Sequence, residues 1–281
     1  MNQDCGYQSL TVRQLDRRAL HRSGALSAYG GVDMESRQRE IFEDIHDDYY
    51  ASTGDRYAHA YKERYIFNRV ASYIGDARTV MEIACGRGEA SGWLRERKPG
   101  LSIAGCDIST KAATDFTAAH QSPCFVADLT KPFHHGQKYD AVIVMGGIHH
   151  LVADLDVAFE NIGNLLKPGG RLIMAEPNAD YFLNPVRRLW YRVDKGNFDV
   201  ETEEALSHNR LLNDYGGQFK KVGVRYFGGP AYFLLALNMF LRIPNASKRL
   251  TAPLVMAIER VFDLLPGRLP FASFVACWER R

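Results

Sequence analysis

The sequence predicts an α/β fold, a parallel sheet wound by helices on both faces. From Thr79 onward, short apolar runs alternate with helical runs at a spacing that suits strand–helix–strand units. The strand-like runs are near-continuously apolar, as strands covered on both faces are. Two of them stop at an acid, Asp107 and Asp128, where a strand would hand over to a loop.

Taken in order, residues 1–35 read as a flexible N-terminal arm. Apolar residues are sparse, Arg13, Arg17, Arg18 and Arg22 lie close together, and Gly30-Gly31 closes the stretch. Residues 36–75 form a helical cap: Ile41, Phe42, Ile45 and Tyr49 make one face, and Tyr57, Tyr61 and Tyr65 recur every fourth residue. The core then spans 76–229 and 271–281. Its strands are Thr79–Ala84, Leu101–Cys106, Cys124–Ala127, Tyr139–Met145 and Arg171–Ala175, with Val222–Phe227 sixth and Phe271–Glu279 seventh. A helix over Leu155–Leu166 stops at Lys-Pro-Gly-Gly. Between the last two strands lies a helical insertion, 230–270. Its first helix, Ala231–Arg242, is apolar nearly all round and bounded by Pro230 and Pro244. Its second, Thr251–Leu265, carries the stripe Leu250, Leu254, Ile258, Val261 and Leu265 and is bounded by Pro253 and Pro266.

Composition narrows the function classes. Of 281 residues, 46% are hydrophobic and 24% charged, ordinary globular usage. Lys+Arg 35 against Asp+Glu 33 gives +2, too balanced for a chain built to neutralise many phosphates, so nucleic acid is an unlikely partner. Five scattered cysteines without a C-x-x-C argue against a disulfide scaffold or structural zinc, and no metal is expected. The first residues lack the apolar core of a secretory signal, and the apolar run at Ala231–Leu241 falls short of the roughly 18–20 residues a span needs. The expectation is a cytoplasmic protein, with contact to the inner face of a membrane left open.

The chemistry concentrates after the first strand. Val80-Met-Glu-Ile-Ala-Cys-Gly-Arg-Gly-Glu89 delivers the acid Glu82 and then a Gly86-Arg87-Gly88 turn opening a helix. Glycines there let the backbone bend sharply and approach a ligand. Alone the turn is a weak signal, shared by several nucleotide sites; Ser91 stands where a dinucleotide fold wants its third small residue, so the turn does not decide. Asp107, about twenty residues on, suits both hydroxyls of a ribose. Asp128 followed by Leu129 suits an adenine amine and ring, and Tyr139-Asp140 begins the fourth strand. Read together, these four acids stand in register at the carboxyl ends of consecutive strands and make a binding crevice.

With those residues in view, the sequence resembles the class I S-adenosylmethionine-dependent methyltransferases of small-molecule type. EIACGRG is similar to their glycine signature, GCDIS to the ribose acid, VADL to the adenine-edge acid, and KPGGRLIMAEPN to the turn and strand after the catalytic loop. Ala84 replaces the first glycine of the signature. The resemblance, over about residues 40–230, implies a seven-stranded, mostly parallel Rossmann-like sheet whose last two strands pair antiparallel. It implies S-adenosyl-L-methionine held by Glu82, Ala84, Gly86, Gly88, Asp107, Ile108, Asp128, Leu129 and Met145. His149-His150, in the loop after the fourth strand, resembles an HH-L variant in which a histidine serves as general base; the alternative is that both are structural. Asn178, Asp180 and Tyr181 line the acceptor side, while Tyr57 and Tyr61 either cover the donor, Tyr57 reaching the substrate, or merely pack. His134-His135 reads as surface.

The resulting expectation is methyl transfer to a small, apolar or lipid-linked acceptor, most simply O-methylation. Two alternatives stand beside it: a non-catalytic S-adenosylmethionine-binding protein of the same fold, and an RNA-modifying enzyme working through the basic arm. The insertion 230–270 covers the acceptor, forms a homodimer face, lies on a membrane with Arg242, Lys248 and Arg249 at headgroup level, or packs on the domain.

Overall fold

The computed structural model describes residues 54–193, 204–237 and 243–281. The arm 1–35 with its arginines, the Ile41–Tyr49 face and Arg242 lie outside these residues.

The described chain opens with Asp55, whose carboxylate accepts the Tyr57 and Ala58 N–H groups and so caps α1 (Arg56–Lys62). A π-helical segment (Glu63–Phe67) joins it to α2 (Asn68–Ile74), and Gly75 at φ 56° ends the run. Then follow β1 (Thr79–Ile83), α3 (Glu89–Arg97), β2 (Ser102–Asp107), α4 (Thr110–His120), β3 (Cys124–Val126) and β4 (Tyr139–Met145). After β4 come α5 (Leu155–Leu165), β5 (Leu166–Pro177), α6 (Asn184–Val193), α7 (His208–Tyr215), β6 (Phe219–Phe227), α8 (Asn245–Phe262) and β7 (Ser273–Arg280).

The strands form one sheet in the order β3-β2-β1-β4-β5-β7-β6. β1 to β5 are parallel, and β7 runs antiparallel to both β5 and β6, as expected for this fold. Order reverses at β1, which has β2 on one side and β4 on the other, so a crevice opens at the carboxyl ends of these strands. Period-two alternation sends Met81, Ile83, Val142, Val144, Leu172 and Met174 to one core. Ala141, Ile143, Ile173, Ala175 and Val275 face the other, which Tyr61, Phe67 and Trp93 close from the cap side.

Three elements differ from the sequence expectation. Lys-Pro-Gly-Gly interrupts β5 rather than preceding it: Leu166 already pairs with Tyr139, and the register resumes at Arg171 opposite Ala141. Of the first insertion helix, the described part is one π-helical turn, Tyr232–Ala236, whose regular geometry ends at Leu237. The second helix starts earlier, at Asn245, and Pro253 sits inside it instead of bounding it. Pro253 stands on the exposed side, where a carbonyl left without its N–H partner is open to water.

Candidate active site

The turn after β1 is built from left-handed residues. Ala84, Gly86 and Gly88 have φ of 49°, 51° and 72°. Gly88 caps α3, and a Cβ there would stand 2.7 Å from Phe116 Cδ2 and closer still to His120. Ala84 keeps its methyl because Gly147, across the crevice, has none: a Cβ at Gly147 would lie 2.6 Å from that of Ala84. The departure from glycine is thus matched by an empty position opposite.

Acids hold this turn in place. Asp107, ending β2, accepts the Gly86 N–H through Oδ2 and the Ser109 N–H through Oδ1, both at 2.9 Å. Its carboxylate is therefore fixed at the carboxyl end of β2. Glu82 is buried within β1 and accepts from the Ser91 hydroxyl and, at 3.1 Å, the Ser91 N–H. It stitches β1 to α3 beneath the turn. Burial pushes its carboxyl up to about 7, against the pull of the Ser91 hydrogen bonds. His120 supports the turn from below through the Arg87 carbonyl at 2.9 Å, a role the sequence did not signal.

Asp128, after β3, accepts the Thr130 N–H at 2.9 Å and its hydroxyl at 2.7 Å, and Ile108 and Met145 lie half-buried at the ends of β2 and β4. Leu129 is buried in the core that also holds Ile148. Asp140 does not belong to the site. It begins β4, so it stands at the opposite edge of the sheet, where it accepts the Arg78 and Thr79 N–H groups and pairs with Lys167 at 2.7 Å.

The loop after β4 turns at Gly146 (φ 73°) into a single 3-10 turn, Ile148–His150. Beneath it, from β5, comes Glu176, which the sequence reading passed over. Its Oε1 accepts the N–H groups of Gly147 (3.1 Å) and Ile148 (2.8 Å), and its Oε2 lies 2.8 Å from His149 Nδ1. The glutamate is enclosed and fixes both the loop and the imidazole. Burial drives Glu176 up to about 8, the backbone donors offsetting part of this; burial, then the Arg187 charge, drives His149 down to about 3. The His150 ring lies 3.9 Å from that of His149, and burial lowers its pKa too. With the ring proton on Nδ1 and donated to an ionised Glu176, Nε2 of a neutral His149 carries a free lone pair.

On the acceptor side the sequence assignment needs correction at Asn178. Its side chain is wholly enclosed: Nδ2 donates to the Arg268 and Phe271 carbonyls, both at 2.9 Å, and Oδ1 accepts the Asp180 N–H at 3.0 Å. With donors and acceptor taken by backbone, it latches the segment after β5 to the approach to β7. Asp180 pairs with Arg268 at 2.8 Å. Tyr181 packs on Phe233 of the insertion, ring centroids 6.2 Å apart. Tyr57 is half-buried and takes a 2.6 Å hydrogen bond from Arg56, whereas Tyr61 is buried and donates to Glu259. His134 is exposed as expected; His135 is half-buried, stacked on Phe133 and Tyr139. Among the described residues no group of three His, Cys, Asp or Glu side chains gathers as a metal site.

Known proteins share the fold that carries these residues. Residues 81–172 match the model of a family described as a methyltransferase domain. The rat (Rattus norvegicus) glycine N-methyltransferase is 28% identical over 189 residues, covering 57% of this chain and 63% of the rat protein, so the match spans less than two thirds of that relative. Among solved structures, the N-methyltransferase NodS of Bradyrhizobium japonicum, in complex with S-adenosyl-L-homocysteine, aligns with a TM-score of 0.54 at 11% identity, over 85% of this chain and 98% of its own. A Thermotoga maritima methyltransferase, described as a possible histamine N-methyltransferase, aligns with a TM-score of 0.57 at 16% identity, over 86% and 99%. The matched segment is similar to a methyltransferase domain, and the fold is that of the class I S-adenosylmethionine-dependent methyltransferases.

Proposed function

We propose that this chain transfers the methyl group of S-adenosylmethionine to the hydroxyl of a small, apolar or lipid-linked acceptor. His149 acts as general base and Glu176 as its positioning carboxylate. The observation that carries the reading is the 2.8 Å contact between Glu176 Oε2 and His149 Nδ1 in the loop that faces the glycine turn. The turn fits the donor. Gly86 and Gly88 leave the backbone free for a close ligand, and the Asp107 carboxylate, held by two backbone N–H groups, supports its reading as the ribose acceptor.

When bound, the donor supplies an activated methyl on a sulfonium, which leaves by in-line displacement. The chain's own residues do the rest. His149 belongs to the 3-10 turn after β4, and an ionised Glu176 2.8 Å from its Nδ1 favours the tautomer in which Nε2 takes the acceptor's proton. Gly146 turns this loop at positive φ, and Gly147 lets it close against the Ala84 methyl. The accommodation of Ala84 by Gly147 supports a working site over a silent one.

A second reading, an amine acceptor, is favoured by the similarity to a glycine N-methyltransferase. Tritiated methyl transfer to matched apolar alcohols, phenols and amines separates the two. Label on hydroxyl acceptors, lost in His149→Ala, supports O-methylation; label on amines alone overturns it.

A further inference from the structure

Helix α8 is amphipathic in the reverse of the usual sense. Its inward face carries Lys248 and Glu259, both buried, beside Ala252 and Val255. Lys248 pairs with Asp55 and reaches the Leu235 carbonyl at 3.3 Å, so it is not at a headgroup level as its sequence position suggested. Glu259 accepts the Tyr61 hydroxyl at 2.8 Å and the N–H groups of Gly229 and Ala231 at 2.9 and 2.8 Å. These bonds fix which side of the helix faces the protein.

The outward side is the apolar stripe. Leu250, Leu254 and Val261 are 82%, 66% and 69% exposed, with Ile258 beside them. At 3.6 residues per turn these four fall within an arc of about 80°. Apolar ground continues past the helix end through Leu264, 81% exposed, and Leu269. There the Phe182 N–H bonds the Leu269 carbonyl at 3.0 Å, so exposed Phe182 and Leu183 adjoin the patch and lead to Val186 and Leu189 on α6. So many large apolar side chains exposed on one helix face and on the segments beside it mark a surface that meets another apolar phase.

Charge selects the occupant. Arg249 and Arg260 are exposed on one edge of the stripe, and among the described residues neither has an ion pair. The nearby acids are turned away: Glu259 is buried, and Asp263 lies 2.5 Å from Arg225. An antiparallel partner copy would set both arginine edges side by side. Anionic headgroups would satisfy both, with the leucines reaching the acyl boundary. No helix among the described residues is long and apolar enough to cross a membrane, which leaves α8 in the plane of the surface. We infer that the outward face of α8, with the adjoining Leu264–Leu269 and Phe182–Leu189 segments, seats this protein on anionic lipid bilayers.

The test is co-sedimentation of the full chain with vesicles of phosphatidylcholine alone and of equal parts phosphatidylcholine and phosphatidylglycerol. The protein should pellet with the mixed vesicles and only weakly with the neutral ones. Arg249→Gln and Arg260→Gln should each weaken binding about fivefold, and L254D/V261D about tenfold or more. These side chains are exposed, so melting temperature and S-adenosylmethionine affinity should stay at the parent values, which separates this proposal from the donor-site reading. Failure to pellet with mixed vesicles overturns the proposal. So does undiminished binding by L254D/V261D, or a parent dimer that this variant disperses while vesicles capture neither.

Discussion

Glu176 Oε2 lies 2.8 Å from His149 Nδ1, joining the ends of two adjacent strands across 27 residues of sequence. Burial has moved the two groups in opposite directions, the carboxyl up to about 8 and the imidazole down to about 3. The group that titrates in the working range is therefore the glutamate, and the pair is best regarded as one unit. Only the ionised glutamate accepts Nδ1–H and leaves Nε2 unprotonated.

The methyl-transfer rate is accordingly expected to rise with pH through about 8, the value of Glu176, with no limb at the ordinary histidine value. Glu176→Gln should keep the loop bonds of Gly147 and Ile148 through its carbonyl oxygen, yet lower kcat by about 10²–10⁴ and flatten that limb. Donor Kd should hardly change. A Glu176→Gln profile with the parent's limb would show that another group titrates.

Glu82 offers a stability test of the cradle. Its folded value of about 7 stands above the unfolded carboxylate value near 4.3, because burial disfavours the charged form. The folded state then binds the proton more tightly. The stability this contributes is complete below about pH 4.3 and is lost as pH rises through about 7. Glu82→Gln, which cannot ionise, should remove that decline: denaturant midpoints of parent and variant should converge at low pH, with the variant relatively more stable at pH 8. A constant difference across pH would refute the buried acid.

Ala84 and Gly147 should be energetically coupled. Gly147→Ala sets a methyl 2.6 Å from Ala84 Cβ and 2.8 Å from Val144 Cγ1, and should cost about 1–3 kcal/mol. Ala84→Gly relieves a left-handed alanine and should be mildly stabilising. In the Ala84→Gly background the cost of Gly147→Ala should shrink by about 0.5 kcal/mol or more. Strict additivity in thermal unfolding would contradict the contact.

The sheet was legible because its strands are buried on both faces and read as unbroken apolar runs, and the turn because Gly86 and Gly88 stand where the chain needs positive φ. Glu176 was not. In Met-Ala-Glu-Pro it is one acid at a strand end, and its partners come from a loop whose approach only the tertiary fold sets. Asn178 looked available for an acceptor for the same reason: its three backbone partners are close in space and, at Arg268 and Phe271, about ninety residues away along the chain. Asp140 begins β4 and so stands away from the acids at the carboxyl ends, yet an acid at a strand start and one at a strand end look alike locally. For α8, periodicity identified the stripe but not its direction. Lys248 and Glu259 turned the leucines outward because Asp55 and the Gly229–Ala231 backbone supply buried partners that no local pattern announces.

The most direct test of the whole account is calorimetric titration of S-adenosylmethionine into the parent protein and three variants. The parent should bind one equivalent. Asp107→Ala should lose about 1–3 kcal/mol of affinity, the worth of hydrogen bonds to a charged acceptor, while His149→Ala and Glu176→Gln should bind as the parent does. No heat of binding in the parent, or an undiminished affinity in Asp107→Ala, would contradict the assignment of the crevice between β1 and β4 as the donor site.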